Sequence, residues 1–546
     1  MKLGIISAKS SANQRDLKWL NVASLSTFSL LYGLSLLLPV RHWAAVKVDL
    51  SKSFPNIPFQ DSGYYLGQIE GFRSGLRNFG NPFYFEHTKD GFGNGSSALF
   101  AFWGFLGRIL NLDILQNYLL MTVFSGALTV ICVSLFLRTL QIETKWVGLI
   151  SFAIVFTMCG TELGRPSPTQ LGLWIVFLLL WLQKQVVIVP SRHKVRVVLY
   201  LAVLVFLTFS NPFYALFVGV NHLLLLSVLQ RCNLTKIVQS VWPLLLAFSP
   251  FGLTYVKRNE FEGPQSERFG VIHSHFPGAL KLTFLLCGII VALYFLEKTR
   301  DGNTRWIVIV LSSNFVTLNS QVLTGVHYEM ESHLDLLTKI LLLCAGLYLV
   351  SVKPTKFVTH GILLTLFISS YNQINYLNLF NDRALPTSLN ELTLIKSVVE
   401  QTNVGDVILY GDSKISIESQ EMISLLTSTY LYFTPAGNLS RTDHQETLLR
   451  LACGFFKNQS KLQEGLSQSY LHRFQNERLM FGKWDRVFNY IGLDFYDPDT
   501  ELKQKQSDLQ FVIEYQKLNC ANPKNFKFRL DFLVDSNGNL MSVDEA

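Results

Sequence analysis

The chain has 546 residues, 49% of them hydrophobic and 16% charged, and a net charge of +8. That is too apolar for an ordinary soluble protein and too charged for a bundle lying wholly in lipid, so a membrane region joined to a soluble part is expected. No GxxxxGK(S/T), HExxH or GxSxG segment occurs, nor a GxGxxG between strand and helix, so ATP-driven transport, nicotinamide chemistry and the common hydrolase mechanisms lose support.

Residues 1–18 are polar and basic, and an apolar run continues over 20–40 with no small-residue cleavage site before Arg41. It reads as a first transmembrane helix rather than a signal peptide. A long polar segment follows over 41–117. Within it, "SALFAFWGFLGRIL" has an apolar part of about 13 residues, too short to span and suited to the membrane interface. Further apolar runs at 118–137, 146–159, 171–182 (extending to 189), 197–209, 213–229, 241–256, 279–296, 306–318, 336–352 and 357–376 bring the expected spans to about eleven. Several are short and must borrow semi-polar flanks.

Charge orients them. With Lys2, Lys9, Arg15 and Lys18 in the cytoplasm, every alternate loop is short and basic, carrying Arg138 and Lys145; Lys184, Arg192, Lys194 and Arg196; Arg231 and Lys236; Lys298, Arg300 and Arg305; Lys353 and Lys356. The other segments, 41–117, 160–170, 257–278, 319–335 and everything after 377, fall outside and hold the varied polar chemistry. No internal repeat is evident, which disfavours an inverted-repeat transporter.

Composition shifts near Asn378. "NDRALPTSLNEL" reads as a linker leading to a helix capped near Ser388, "DVILYGD" as a buried strand and turn, "SLLTSTYLYF" as a second strand and "TDHQETLLRLACGFF" as a helix. The expected fold is mainly α: residues 1–377 form a polytopic membrane helix bundle with a long first external loop, and 378–546 a small extracytoplasmic α/β domain. Most of the seven cysteines lie in apolar segments; Cys453 and Cys520 lie in the exported part, where they can pair. The sequons at Asn94, Asn438 and Asn458 also fall outside.

Four polar constellations carry the functional reading. In "FQDSGYYLGQIEGFRSG", Asp61 or Ser62 is a natural helix N-cap, and Asp61 is equally a candidate general base or metal ligand. Glu70, nine residues on, reads as solvated. "CGTELGRPSPTQ" holds Glu162 and Arg165, the latter able to fork a phosphate, with Pro166 and Pro168 stiffening the loop and starting the next helix. "NSQVLTGVHYEMESH" holds Asn319, Gln321, His327, Glu329 and His333; polar groups at a helix end need partners or a watery cavity, and a six-residue His spacing suits sugar hydroxyls or a pyrophosphate better than a metal. "KRNEFEGPQSERFGVIHSHFPG" offers Lys257, Arg258 and Arg268 to an anionic headgroup, and a weak HxH pair at His273 and His275. A turn, cap or surface ion pair is the plain structural alternative at each.

Together, an N-in first helix, a long external loop with an early aspartate ("FQDSGYYLGQI"), "NPFYF" and an interfacial helix, many short helices and an external C-terminal domain resemble the GT-C membrane glycosyltransferases. The resemblance implies a polyprenyl-phosphate-linked sugar donor, transfer to an acceptor on the extracytoplasmic face, a bacterial inner membrane, and Asp61 as catalytic base or metal ligand. Arg165, with Arg268 or Lys257, then binds the donor phosphate, and Glu162, Gln321, His327 and His333 position groups. The metal-using branch carries a paired-acid motif where this chain has only Glu162, so a divalent cation (Mg or Mn) and a metal-free mechanism both stay open. Membrane lipids are the expected surroundings, and no nucleic-acid partner is implied. A transporter or flippase of a lipid-linked saccharide and a non-catalytic membrane assembly protein are the competing readings.

Overall fold

The computed structural model describes residues 11–37, 62–75, 83–87, 97–142, 147–187, 194–229, 272–273, 280–296, 302–327, 330–352, 389–410, 417–434, 444–454, 498–535 and 537–544, with single positions at 249, 275, 360, 368, 370, 371, 373 and 415. Asp61, Lys257, Arg258, Arg268, Glu329, the three sequons and most of 241–256 and 357–376 lie outside these residues, as do the side chains of Glu162, His273 and His327. The protein is mainly helical with a small sheet.

The bundle comprises α1 (Ser11–Ser35), α2 (Ser62–Ser74), α3 (Ser97–Ile109), α4 (Ile114–Thr139), α5 (Val147–Cys159), α6 (Pro168–Val187), α7 (Lys194–Ser210), α8 (Pro212–Leu229), α9 (Leu280–Leu296), α10 (Gly302–Leu318), the short α11 (Ser320–Thr324) and α12 (Met330–Val352). Among the described residues two segments, α4 and His333–Val352 of α12, are long and apolar enough to cross a membrane. The expectation of eleven such spans is not met at this level. For most of them the reason is length: a helix of 13 to 18 residues rises only ~20–27 Å against a hydrocarbon core of ~30 Å. Helices α1, with 25 residues, and α6, with 20, are long enough but carry polar residues at their ends. The first helix also differs from the expected 20–40, starting nine residues earlier and ending at Ser35.

Local chemistry explains several boundaries. Asp113 caps α4: its Oδ1 accepts the Gln116 amide at 2.7 Å while the Gln116 side chain accepts the Asp113 amide, a capping box. Pro168 and Pro212 stand at the first positions of α6 and α8, where their missing N–H costs nothing. Helix α3 buries Leu99, Phe100 and Trp103 and exposes Phe102, Phe105 and Ile109. Helices α1 and α4 cross closely because Gly33 and Gly126 lack side chains; a Cβ on Gly33 would sit 2.5 Å from the Val123 carbonyl oxygen. Glu70, expected in solvent, is buried and forks onto Arg73 at 2.6 and 2.7 Å, while Arg73 also donates to the Leu112 carbonyl at 2.9 Å.

The bundle has two chemically distinct ends. At one, Lys184 donates to the Thr139 carbonyl and to Asn303 Oδ1, joining the C-termini of α4 and α6 to the start of α10. At the other, Tyr32 and Tyr118 donate to the carbonyls of Gly160 and Gly164, both at 2.8 Å. Between them runs a buried polar chain in which Asn221 donates to Gln183 at 2.6 Å and Ser313 to Asn221 at 3.0 Å.

The C-terminal domain contains α13 (Leu389–Gln401), β3 (Val407–Leu409), α14 (Ile417–Thr427), β4 (Tyr430–Leu431), α15 (His444–Gly454), α16 (Pro498–Asn519), β5 (Phe532–Val534) and β6 (Leu540–Ser542); the earlier strands β1 (Ile272–His273) and β2 (Val326–His327) form a separate antiparallel pair in the loops. The domain sheet runs β4-β3-β5-β6, parallel between β3 and both neighbours and antiparallel at β5–β6. "DVILYGD" supplies β3 as read, but "SLLTSTYLYF" divides: its first half finishes α14, Ser428 adopts a positive φ of 56°, and only Tyr430–Leu431 is strand. A Cys453–Cys520 disulfide ties the end of α15 to the end of α16.

Candidate functional site

Three of the loops singled out in the sequence meet at the bundle end opposite Lys184. A 3-10 turn, Gly160–Gly164, leads through half-buried Arg165 to Ser167, which hydrogen-bonds Gln170 across the start of α6. One residue into that helix, Thr169 Oγ1 lies 3.3 Å from His333 Nδ1 in the first turn of α12. The His333 ring stacks on Phe213 at the start of α8, with centroids 3.8 Å apart and planes 10° apart. The first turns of α6, α8 and α12 are thereby joined around one imidazole. Asn211 Oδ1 accepts the Tyr214 amide at 3.1 Å and so caps α8.

The neighbouring "HSH" and "NSQVLTGVH" segments also come together. Strands β1 and β2 pair Ile272 with His327 and His273 with Val326. The His275 ring packs over Gly325, which holds a positive φ of 70°; a Cβ there would lie 2.8 Å from the ring, so glycine is needed for both backbone and space. His275 Nδ1 lies 3.2 Å from the Val322 carbonyl. Gln321 is buried, and among the described residues its Nε2 has no hydrogen-bond partner; the same holds for the hydroxyl of Tyr214, fully buried and within electrostatic range of Cys159 and Asp335. Asp335 itself pairs with Lys339 at 2.5 Å. Among the described residues no three His, Cys, Asp or Glu side chains group as metal ligands.

Of the predicted site residues, Arg165, Gln321, His333 and the backbones of Glu162 and His327 therefore fall in loops that converge at one end. Asp61 immediately precedes Ser62, the first residue of α2, and Lys257 and Arg268 lie in the segment leading to β1; these three are outside the described residues.

A second polar cluster was not foreseen in the sequence. The chain between α2 and α3 reaches the C-terminal domain through Phe83–His87. The Leu431 amide donates to the Phe83 carbonyl at 2.9 Å, placing the loop backbone beside β4. Glu86 accepts Arg450 at 2.8 Å and the Arg529 amide at 2.8 Å, and His87 donates to Glu446 at 2.7 Å. Arg450 has no exposed side-chain surface: it also donates to Glu446 at 2.7 Å and to the Tyr432 carbonyl at 2.8 Å, and lies 4.0 Å from the ring centroids of both Tyr84 and Phe528. Burial works against its charge, but Tyr84, Glu446 and Glu86 outweigh that and hold its pKa above the ordinary value. Burial likewise pushes Glu446 up, yet the His87 hydrogen bond and the Arg450 charge more than offset it and leave the carboxyl below its usual range. The only sequence hint was an arginine set among leucines in "TLLRLACG".

No family model matches this chain, and no curated protein sequence matches it.

Proposed function

We propose that the protein is a GT-C-type membrane glycosyltransferase that moves a sugar from a polyprenyl-phosphate-linked donor to an acceptor on the extracytoplasmic face of a bacterial inner membrane. In this reading the bundle has eleven spans, several short, with a cytoplasmic N-terminus. The observation that carries it is the joining of loops 160–170 and 319–335 through Thr169, His333 and Phe213, at the end opposite the basic Lys184 corner. Segregation of basic loops from the polar constellations is what the positive-inside rule asks of an enzyme working outside. The Cys453–Cys520 disulfide supports the same sidedness, since structural disulfides belong to oxidising compartments.

The chemistry assigns roles to the chain's own residues. An acceptor hydroxyl attacks the anomeric carbon as the bond from that carbon to the donor phosphate oxygen breaks, through an oxocarbenium-like transition state. Asp61 takes the acceptor proton. Arg165, Arg268 and Lys257 stabilise the departing phosphate, whose charge grows as the bond breaks. Gln321, His327, His333 and Glu162 hold donor and acceptor in register. A divalent cation, Mg or Mn, would assist the phosphate if the enzyme follows the metal-using branch.

The test is transfer from a panel of radiolabelled polyprenyl phosphosugars by purified protein. Asp61→Asn and Asp61→Ala, verified as folded, are each expected to lose about a hundredfold or more in rate, the scale of general-base catalysis. Full activity in both would remove Asp61 from the mechanism, and no transfer with any donor would remove the enzyme reading.

A further inference from the structure

The first external loop and the C-terminal domain hold each other through two acids that point in opposite directions, one buried and one at the surface. From the domain, Glu421 on α14 is buried, and its Oε1 accepts the Thr434 hydroxyl. Its Oε2 lies against Gly63 in the first turn of α2, where an added Cβ would come within 2.2 Å of that oxygen. A carboxylate there faces the positive end of the α2 dipole, so one domain supplies charge to the helix start of the other. From the loop, Glu86 enters the domain and pairs with buried Arg450. Glu446, Arg450 and Cys453 recur along one face of α15, so the face that grips the loop is also the face stapled to α16. Beyond the staple, Phe528 covers Arg450, and the Arg529 amide completes the Glu86 contacts.

We propose that Glu421, Glu86 and Arg450 are positioning residues of a reciprocal clasp, through which the C-terminal domain fixes where α2 begins and therefore where the residue ahead of it, Asp61, is held. The importance of Asp61 rests on the glycosyltransferase reading; the clasp itself does not. The domain is then a working part of the membrane unit and not a tethered module acting on its own. Gly63 is a glycine because only a bare α-carbon admits the Glu421 carboxylate.

Amide hydrogen exchange of the full-length protein in lipid nanodiscs tests this without any sugar-transfer assay, so the clasp and the proposed reaction stand or fall separately. Glu421→Ala and Glu86→Ala are each expected to raise exchange over residues 62–66 by about tenfold or more, the scale of a lost charge-assisted contact. Gly63→Ala should do the same in the wild-type background. Combined with Glu421→Ala, which removes the clashing carboxylate, it should add nothing further. The clasp is overturned if Gly63→Ala acts equally with and without Glu421, or if Glu86→Ala leaves 62–66 unchanged. Loss of protection at Leu451 and Val512 would mark unfolding of the domain by Glu86→Ala. His87→Ala, which leaves Glu86 on Arg450, is then read in its place: a rise confined to the loop and 62–66 supports the clasp, and no rise overturns it.

Discussion

Arg450 shows how a single charged side chain can organise an interface. A guanidinium removed from water costs several kcal/mol unless its donors are filled, and here two carboxylates, a carbonyl and two aromatic faces fill them. Truncation strands Glu446 in a buried setting and leaves Glu86 without its guanidinium partner. Arg450→Met is therefore expected to lower the stability of the C-terminal domain by about 3–5 kcal/mol, measured by denaturant unfolding. Arg450→Lys should recover little, because an ammonium cannot fork between two acids and stack on rings. The same cluster sets a pH dependence. Glu446 has a lower pKa folded than unfolded, so the folded chain binds fewer protons between the two values. The stability it contributes is full above about 4.3, its unfolded pKa, and drains away as pH falls through the lower folded value. Glu446→Gln should flatten that acid limb; an unchanged limb would mean another carboxyl carries it.

At the scale of elements, what the sequence revealed was local and what it hid was long-range. The start of α6 at Pro168, strand β3 in "DVILYGD" and the helix over His444–Gly454 follow from proline geometry, apolar run length and helical spacing, all visible within a dozen residues. The burial of Glu70 was invisible because its partner Arg73 reads as one more surface charge until α3 packs over both. Phe83–His87 was equally opaque, since its partners lie some 350 residues away in the chain. Of the candidate site, the convergence of loops could be inferred from topology alone, whereas the Phe213–His333 stack and the acids Glu86 and Glu421 needed coordinates. The Cys453–Cys520 pairing was foreseen as a possibility and is formed. It closes a loop with a sequence separation of 67, for which chain-entropy reasoning gives a stabilisation of about 4 kcal/mol. Replacing both cysteines with serine should lower the domain's unfolding midpoint accordingly and make it insensitive to dithiothreitol, while the wild type loses stability in the reductant. Equal midpoints in all four conditions would show that α15 and α16 are held by packing alone.

For the whole molecule, the decisive property is the polarity of the bundle. Lys184 and Asn303 bind the helix ends at one pole, and Thr169, His333, Phe213 and the β1–β2 pair gather at the other. Helix α2 lies between α3 and α14, which links the bundle to the C-terminal domain. A membrane would convert this polarity into two aqueous faces, since short basic loops resist translocation. Two exposed positions report on it: Val195 at the start of α7, on the Lys184 side, and Thr324 in α11, on the His333 side. In a background lacking Cys132, Cys159, Cys232, Cys287 and Cys344, Val195→Cys and Thr324→Cys should label on opposite faces. A membrane-impermeant maleimide added to intact cells is expected to modify Thr324→Cys directly and Val195→Cys only after permeabilisation. The reverse pattern would put the disulfide-bearing domain in a reducing compartment and invert the proposed site. Labelling of both from one side would mean that the helices between them do not cross the bilayer as proposed, and the short apolar helices α5, α7 and α8 would then belong to a bundle packed on itself.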